Sequence, residues 1–301
     1  MTGRRSDLLG ALRCPRCGSE LLGDGQMLTC GGCGETYEVV DGIPRVVAGI
    51  STQSRDQAHW FDENEDAEWE IERPAGGTRL YRWQIEEKLR RSLAGLTGLT
   101  GTALVVCGGS GMEAEYLARR GFAVVTADIS AGAASRAAER GRRHGAQIVP
   151  VVADAARLPF ADRSFDLVYV HDGLHHLDDP FTALQEMARV ARQAVSVNEP
   201  ADAAITQLAA RVGLAELVEE AGNPVERLSI DATSSALARH GLRVVHARRY
   251  ALLYRHTPGA ASRFLSTSPV FPIVRRALGT AAVVAGPVGN KLTVQAVRDV
   301  T

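Results

Sequence analysis

Thr102-Ala-Leu-Val-Val-Cys-Gly-Gly-Ser-Gly-Met112 is the stretch on which the fold turns. A short apolar, β-branched run enters a glycine-rich loop, and a helical pattern opens at Met112. Glycines at a strand-to-helix turn let the backbone approach a bound group closely. Alone the loop is a weak signal, because many βα turns are glycine-rich. Repetition strengthens it. Apolar runs recur at 103–107, 123–127, 148–152, 166–170 and 194–197, with helical patterns at 112–120, 131–144 and 181–192 between them. Ser130 reads as the cap of the second helix, and Asp179-Pro180 opens the third. Phe181, Leu184, Met187 and Ala188 give that third helix one apolar face. Strands apolar along their length and separated by helices indicate a parallel sheet covered on both faces. In such sheets ligands bind beyond the carboxyl ends of the strands.

Those ends carry chemistry in order. The first leads into Gly109-Ser110-Gly111 and the second closes on Asp128, an acid able to accept two hydrogen bonds from a ribose diol. The third closes on Asp154, within Val-Ala-Asp154-Ala155. The fourth runs into His171-Asp172-Gly-Leu-His175-His176. Gly, Asp and Asp on three successive loops form a nucleoside-binding layout.

Of five cysteines, four lie between positions 14 and 33, as Cys14-Pro-Arg-Cys17-Gly and Cys30-Gly-Gly-Cys33-Gly. Two Cys-x-x-Cys turns, each followed by glycine, are the knuckles of a four-thiolate zinc site with no open position, so the expected zinc is structural. Gly23-Asp24-Gly25 marks a hairpin turn between the knuckles. The paired spacing argues against disulfides. A module this small usually needs a staple to fold, and zinc would supply it. Pro44 suggests a strand edge or exit.

The expected domains are a zinc ribbon over 1–48, a linker and helical lid over 49–95, and a main domain over 96–301. The linker is acidic from Asp62 to Glu70 and holds Trp60, Trp69 and Trp83, the three tryptophans of the chain. Its aromatic residues predict a helix over 80–93 packed on the main domain.

Residues 101–200 resemble a class I S-adenosylmethionine-dependent methyltransferase of the type 11-like group. Gly109-Ser110-Gly111 is similar to its cofactor loop, Asp128 to its ribose acid and Asp154 to the acid near the adenine amino group. The stretch from Leu158-Pro-Phe160 to Leu174-His-His-Leu177 resembles its fourth-strand region. The front end, with Asp41-Gly-Ile-Pro-Arg, resembles the ribbon fused to some bacterial members. The resemblance implies an α/β fold: a Rossmann-like seven-stranded mostly parallel sheet with flanking helices, plus the ribbon. It implies S-adenosylmethionine as cofactor, held by Gly109, Ser110, Gly111, Asp128, Ile129, Asp154, Ala155 and His171. Two positions depart from the family pattern. Val105 stands where an acid usually helps hold the methionine amino group, and Cys107 replaces the first loop glycine.

Beyond residue 200 helical patterns are expected over 203–221 and 232–240, the latter capped by Asp231. A sixth strand is expected over 243–253 and a seventh, antiparallel, over 292–297. An insertion over about 254–291 falls on the acceptor side and is expected to shape specificity. Its segment from Phe271 to Val284, with Arg275 and Arg276 beside apolar residues, is expected first to pack onto the core, with contact with a membrane or lipid-like acceptor as the alternative.

The chain has 301 residues, 34 basic and 35 acidic, and a formal net charge of −1. This balance is globular, and it argues against bulk nucleic-acid binding. No apolar stretch approaches the roughly 18–20 residues of a spanning helix. The amino-terminal residues have no apolar core behind their arginines, so a secretory signal is not expected and a cytoplasmic location is. The expected function is methyl transfer to an oxygen of a small-molecule acceptor (a sugar, lipid-linked or specialised metabolite). His171, at the end of the fourth strand, is the candidate base, since histidine suits proton transfer near neutrality. His175, His176 and Asp166 read as structural. Two alternatives stand beside this reading: a zinc-ribbon ribosomal RNA guanine methyltransferase, and a degenerate scaffold of the same fold.

Overall fold

A computed structural model describes residues 8–23, 25–63, 66–202, 228–252 and 259–299. Its centre is a seven-stranded sheet. The strands are β5 (Thr102–Val106), β6 (Ala123–Asp128), β7 (Ile148–Val152), β8 (Phe165–His171), β9 (Ala191–Pro200), β10 (Arg243–Tyr250) and β11 (Lys291–Val297). They lie in the order β10-β11-β9-β8-β5-β6-β7. β5 to β9 run parallel, and β11 runs antiparallel between β9 and β10. This is the Rossmann-like, mostly parallel architecture expected from the sequence.

Alternation along β5 shows why its strands are apolar throughout. Leu104 and Val106 enter one core cluster, and Ala103 and Val105 enter the other on the opposite face. Each fully buried Leu or Val contributes about 1.5–3 kcal/mol. On the first face the cluster includes Leu184 and Met187 of a helix at Pro180–Val190, capped by Asp179 as expected. On the second it includes Leu117 of a helix at Met112–Ala118. Ser130 caps the helix Ala131–His144 by accepting from Ala133 N.

The ribbon is an antiparallel sheet of β1 (Leu21–Gly23), β2 (Met27–Cys30), β3 (Thr36–Val40) and β4 (Ile43–Pro44), with Pro44 on an edge strand. It is docked onto the main sheet. Val46 N donates to Val152 O at 2.8 Å, and Arg13 N donates to Pro159 O at 2.9 Å. Leu8, Leu12, Tyr37 and Val46 belong to the main core cluster. The ribbon therefore covers the free edge of β7, where unpaired backbone groups would otherwise face solvent. Its apolar residues draw burial from the main domain as well as any staple from a metal.

In chain order the helices are α1 (Thr52–Glu63), α2 (Ala67–Glu72), α3 (Arg79–Arg91), α4 (Met112–Ala118), α5 (Ala131–His144), α6 (Pro180–Val190), α7 (Ile230–Arg239), α8 (Ala260–Leu265) and α9 (Phe271–Val284). The linker thus holds three helices where one was expected. Asp66 caps α2 and Thr78 caps α3. Tyr81, Ile85 and Leu89 of α3 pack with Met112, Trp69 and Tyr116.

One expected cap is corrected. Ser229, not Asp231, caps α7 by accepting from Ala232 N, and Asp231 lies in the first turn, where an acid complements the helix dipole. The helix expected over 203–221 and the hairpin residue Asp24 lie outside the described residues. The described part of the insertion forms α8 and α9 against the start of α3. Thr78 Oγ1 meets Ser262 Oγ at 2.9 Å, and the Arg79 guanidinium lies 4.3 Å from the Phe271 ring centre. Among the described residues, no helix is long and apolar enough to cross a membrane.

Candidate active site and metal centre

The loop after β5 is shaped by steric limits. A side chain at Gly108 would collide with Thr126 Oγ1 of β6, so only glycine lets these strand ends sit so close. Cys107 adopts φ +50, a left-handed conformation that costs an L residue roughly 1–2 kcal/mol. Burial pushes its thiol well above its ordinary range, followed by the negative charge of Asp128, so Cys107 is not a reactive thiolate.

Asp128 reaches back to this loop. One carboxylate oxygen accepts from Gly109 N at 2.8 Å and the other from Ser130 N at 2.9 Å. Burial raises its carboxyl, and the two N–H groups oppose that shift. Each oxygen keeps a lone pair, so the side chain retains capacity for a diol. Asp154 caps the turn Ala155–Arg157 through Ala156 N at 2.9 Å, and Ile129 and Ala155 follow the two acids. The Ser110 hydroxyl is buried and accepts from Arg136 Nε at 2.9 Å, so the carboxyl-end face meets the loop backbone rather than this side chain.

The linker closes over the same edge. Asp62 of α1 accepts from Ser130 Oγ at 2.5 Å and Gly132 N at 2.8 Å, at the start of α5. Phe61 stands edge-on to His176, with ring centres 5.8 Å apart. Arg140 of α5 is fully buried. It donates to Ser110 O at 2.8 Å, Arg73 O at 2.8 Å and Glu70 O, and pairs with Glu115 at 2.9 Å. Sequence reading missed Arg140, although Ala133, Ala137 and Arg140 fall on one stripe of α5 at helical spacing. An arginine on an apolar stripe was the available signal.

Around the ends of β8 and β9 lies a charged cluster. Lys88 of α3 and Lys291 of β11 both grip Asp172, at 2.6 and 2.8 Å. Burial disfavours the Asp172 carboxylate, but Lys291 and Lys88 outweigh it and hold the group well below its usual range. His171 is buried. Burial, then Lys88, pushes its imidazole well below 6.5, so it is neutral at physiological pH. His175 Nδ1 lies 2.7 Å from Glu199, whose other oxygen accepts from Gly173 N and Leu174 N, both at 2.9 Å. His175 is thus anchored in a turn. Asp166 sits at the far end of β8, accepting from Thr102 N at 2.8 Å and pairing with Arg192 at 2.7 Å. Lys88, Lys291 and Glu199 were not foreseen, because they converge from elements far apart in sequence.

In the ribbon, the sulfurs of Cys14, Cys17, Cys30 and Cys33 all lie within 4.8 Å of one another. Cys14–Cys33 and Cys17–Cys30 are 3.7 and 3.3 Å apart. Zinc–sulfur bonds of 2.3 Å in a tetrahedron set sulfurs roughly 3.8 Å apart, whereas a disulfide needs about 2.05 Å. The four thiols therefore fit zinc and are unpaired as disulfides. Tyr37 Oη, 3.2 Å from Cys14 Sγ, adds an outer contact.

Residues 104–197, from β5 into β9, match a family model described as a methyltransferase domain. That match spans less than a third of the chain. Among curated relatives, a demethylmenaquinone methyltransferase from Thermobifida fusca (strain YX) is 32% identical over 149 residues, covering 48% of this chain and 60% of that protein. Another of that name, from Mycobacterium sp. (strain KMS), is 39% identical over 89 residues, covering 30% and 36%. The chain thus spans three fifths or less of these relatives' lengths. Two solved structures share the fold of this chain. Magnesium protoporphyrin IX methyltransferase from Synechocystis PCC 6803, with SAH bound, has a TM-score of 0.57 at 14% identity, covering 82% of this chain and all of that one. A SAM-dependent methyltransferase from Thermotoga maritima has a TM-score of 0.53 at 15% identity, covering 81% and 99%.

Proposed function

We propose that the chain transfers a methyl group from S-adenosylmethionine to an oxygen of a small, lipid-like acceptor. The arrangement of Gly109, Asp128 and Asp154 on adjacent carboxyl-end loops carries the reading, with Asp128 bonded to Gly109 N at 2.8 Å. The bound cofactor would supply a methyl group on a sulfonium sulfur, already a good leaving group. What remains for the protein is positioning and exclusion of water. The loop backbone at Gly109, Ser110 and Gly111 would carry the methionine end, Asp128 the ribose, and Asp154 with Ile129 and Ala155 the adenine. His171 would take the acceptor's hydroxyl proton, and α1 and α3 would close the site. In the ribbon, zinc on Cys14, Cys17, Cys30 and Cys33 would serve structure.

Relatives named for demethylmenaquinone support a lipid-like acceptor. The insertion supports it too. Phe264, Ile273 and Val284 are 64%, 72% and 75% exposed, beside Arg263, Arg275 and Arg276. Such a face suits peripheral contact with a membrane from the cytoplasmic side. Calorimetric titration with S-adenosylhomocysteine tests the core of the reading. Saturable binding near one site per chain is expected, and no binding by folded, zinc-loaded protein would overturn it in favour of a scaffold.

A further inference from the structure

The face of the sheet beneath α3 is unusually polar for a core. Tyr169 and His171, two apart on β8, point to the same side. Tyr169 Oη lies 2.8 Å from His171 Nδ1 and 2.8 Å from Ser92 Oγ, at the end of α3. Ser92 Oγ lies 2.6 Å from Leu89 O. All four residues are buried.

Proton counting fixes the direction of this chain. A carbonyl only accepts, so the single Ser92 hydroxyl proton goes to Leu89 O. Ser92 Oγ is then an acceptor, and the Tyr169 proton must go to it. Tyr169 Oη has no proton left for the imidazole, so it accepts from His171 Nδ1–H. The neutral ring therefore carries its proton on Nδ1 and leaves a lone pair on Nε2. That Nε2 is buried and has no hydrogen-bond partner among the described residues. Asn198, paired with His171 in the β8–β9 register, donates its amide N–H to Ser196 Oγ at 3.2 Å and to Val170 O at 3.4 Å. Its Oδ1 is likewise buried without a partner among the described residues. Two unused acceptors at neighbouring strand ends match a ligand group that donates, such as a hydroxyl.

We infer that Ser92 and Tyr169 are positioning residues that lock His171 as its Nδ1–H tautomer, presenting an unprotonated Nε2 to the hydroxyl of the methyl acceptor. This rests on the reading of His171 as the base. The relay places the control of the base at Ser92, one helix away and outside contact with the imidazole. Loss of the Ser92 hydroxyl frees the Tyr169 proton to turn towards Nδ1. The imidazole proton then moves to Nε2, and the lone pair needed for proton transfer disappears.

Histidine-labelled full-length protein, studied by long-range proton–nitrogen NMR at neutral pH, tests the relay without any acceptor. His171 in the unsubstituted protein should show a protonated Nδ1 and a bare Nε2. Ser92→Ala should invert that pattern, Ser92→Thr should restore it, and Tyr169→Phe should abolish the preference for Nδ1–H. A protonated Nε2 in the unsubstituted protein, or an unchanged tautomer in Ser92→Ala, would overturn the inference. Should Ser92→Ala fail to fold, the unsubstituted and Tyr169→Phe spectra still decide. The base reading is separable. An unchanged methyl-transfer rate in His171→Gln, with the Nδ1–H tautomer present in the parent, would end that reading and leave the relay standing.

Discussion

Arg140 donates from Nε to the carbonyl of Ser110 across 2.8 Å, and this contact ties the glycine loop to α5. The same guanidinium holds Glu115 and the carbonyls of Glu70 and Arg73, so one side chain on α5 joins loop, helix and linker. Arg140→Met should destabilise the fold by about 3–5 kcal/mol, because it removes one charged partner of Glu115, which keeps Arg119 and His144, and leaves three carbonyls without this donor. Arg140→Lys should recover little, since an ammonium cannot reproduce the fork. Urea unfolding measures both, and a loss below about 1 kcal/mol in Arg140→Met would contradict the hub.

Cys107 and Gly173 should behave as a coupled pair. A side chain at Gly173 would collide with Cys107 Cβ, while the Gly173 backbone, at φ −131, is outside the left-handed region. Gly173→Ala alone should be clearly destabilising. Combined with Cys107→Gly it should recover most of the loss, because the colliding atom is gone and the left-handed strain at position 107 is relieved. Additive effects in thermal melts would refute the coupling.

Asp128→Ala and Asp154→Ala should each weaken S-adenosylhomocysteine binding, by tenfold or more for a lost charged hydrogen bond of about 1.5–3 kcal/mol. Asp128→Ala should also lower the melting temperature, since Gly109 N and Ser130 N lose their acceptor. Unchanged calorimetric affinity in both variants would mean that the cofactor lies elsewhere.

Metal analysis should find about one zinc per chain. Because Leu8, Leu12, Tyr37 and Val46 share the main core, zinc removal should loosen the ribbon and expose the edge of β7. A strong chelator is expected to lower the melting temperature of the whole chain. Protein carefully purified and still free of metal would remove the zinc assignment.

The pH dependence follows from the sign of the His171 shift. A base must be unprotonated, and burial, with Lys88, holds the His171 imidazole well below 6.5. The acidic limb of the methyl-transfer profile should therefore lie below pH 6.5, with no loss between pH 7 and 8 from this group. Stability changes in the same direction. The unfolded chain binds a proton below about 6.5 that the folded one refuses, so the His171 contribution falls as pH drops through that value. A His171-dependent limb centred above 7 would refute the assignment of this shift.

Sequence alone determined the parallel α/β core, since apolar strands, caps and a glycine loop are local features that repeat in register with the fold. It also placed Asp128 and Asp154, because each sits at a strand end that periodicity locates, and it paired the four cysteines by their spacing. Tertiary structure decided what local pattern does not encode. Lys88, Asp172 and Lys291 meet from α3, the loop after β8, and β11, and no spacing announces contacts across 84 and 119 residues. The ribbon reads as a separate module but shares the main core, because docking needs the free edge of β7 as well as the ribbon's own apolar residues. His171 was visible as a histidine at a strand end. Its tautomer was not, because the proton position is set by Ser92 and Leu89 of another element, through hydrogen bonds that exist only once the sheet and α3 are packed.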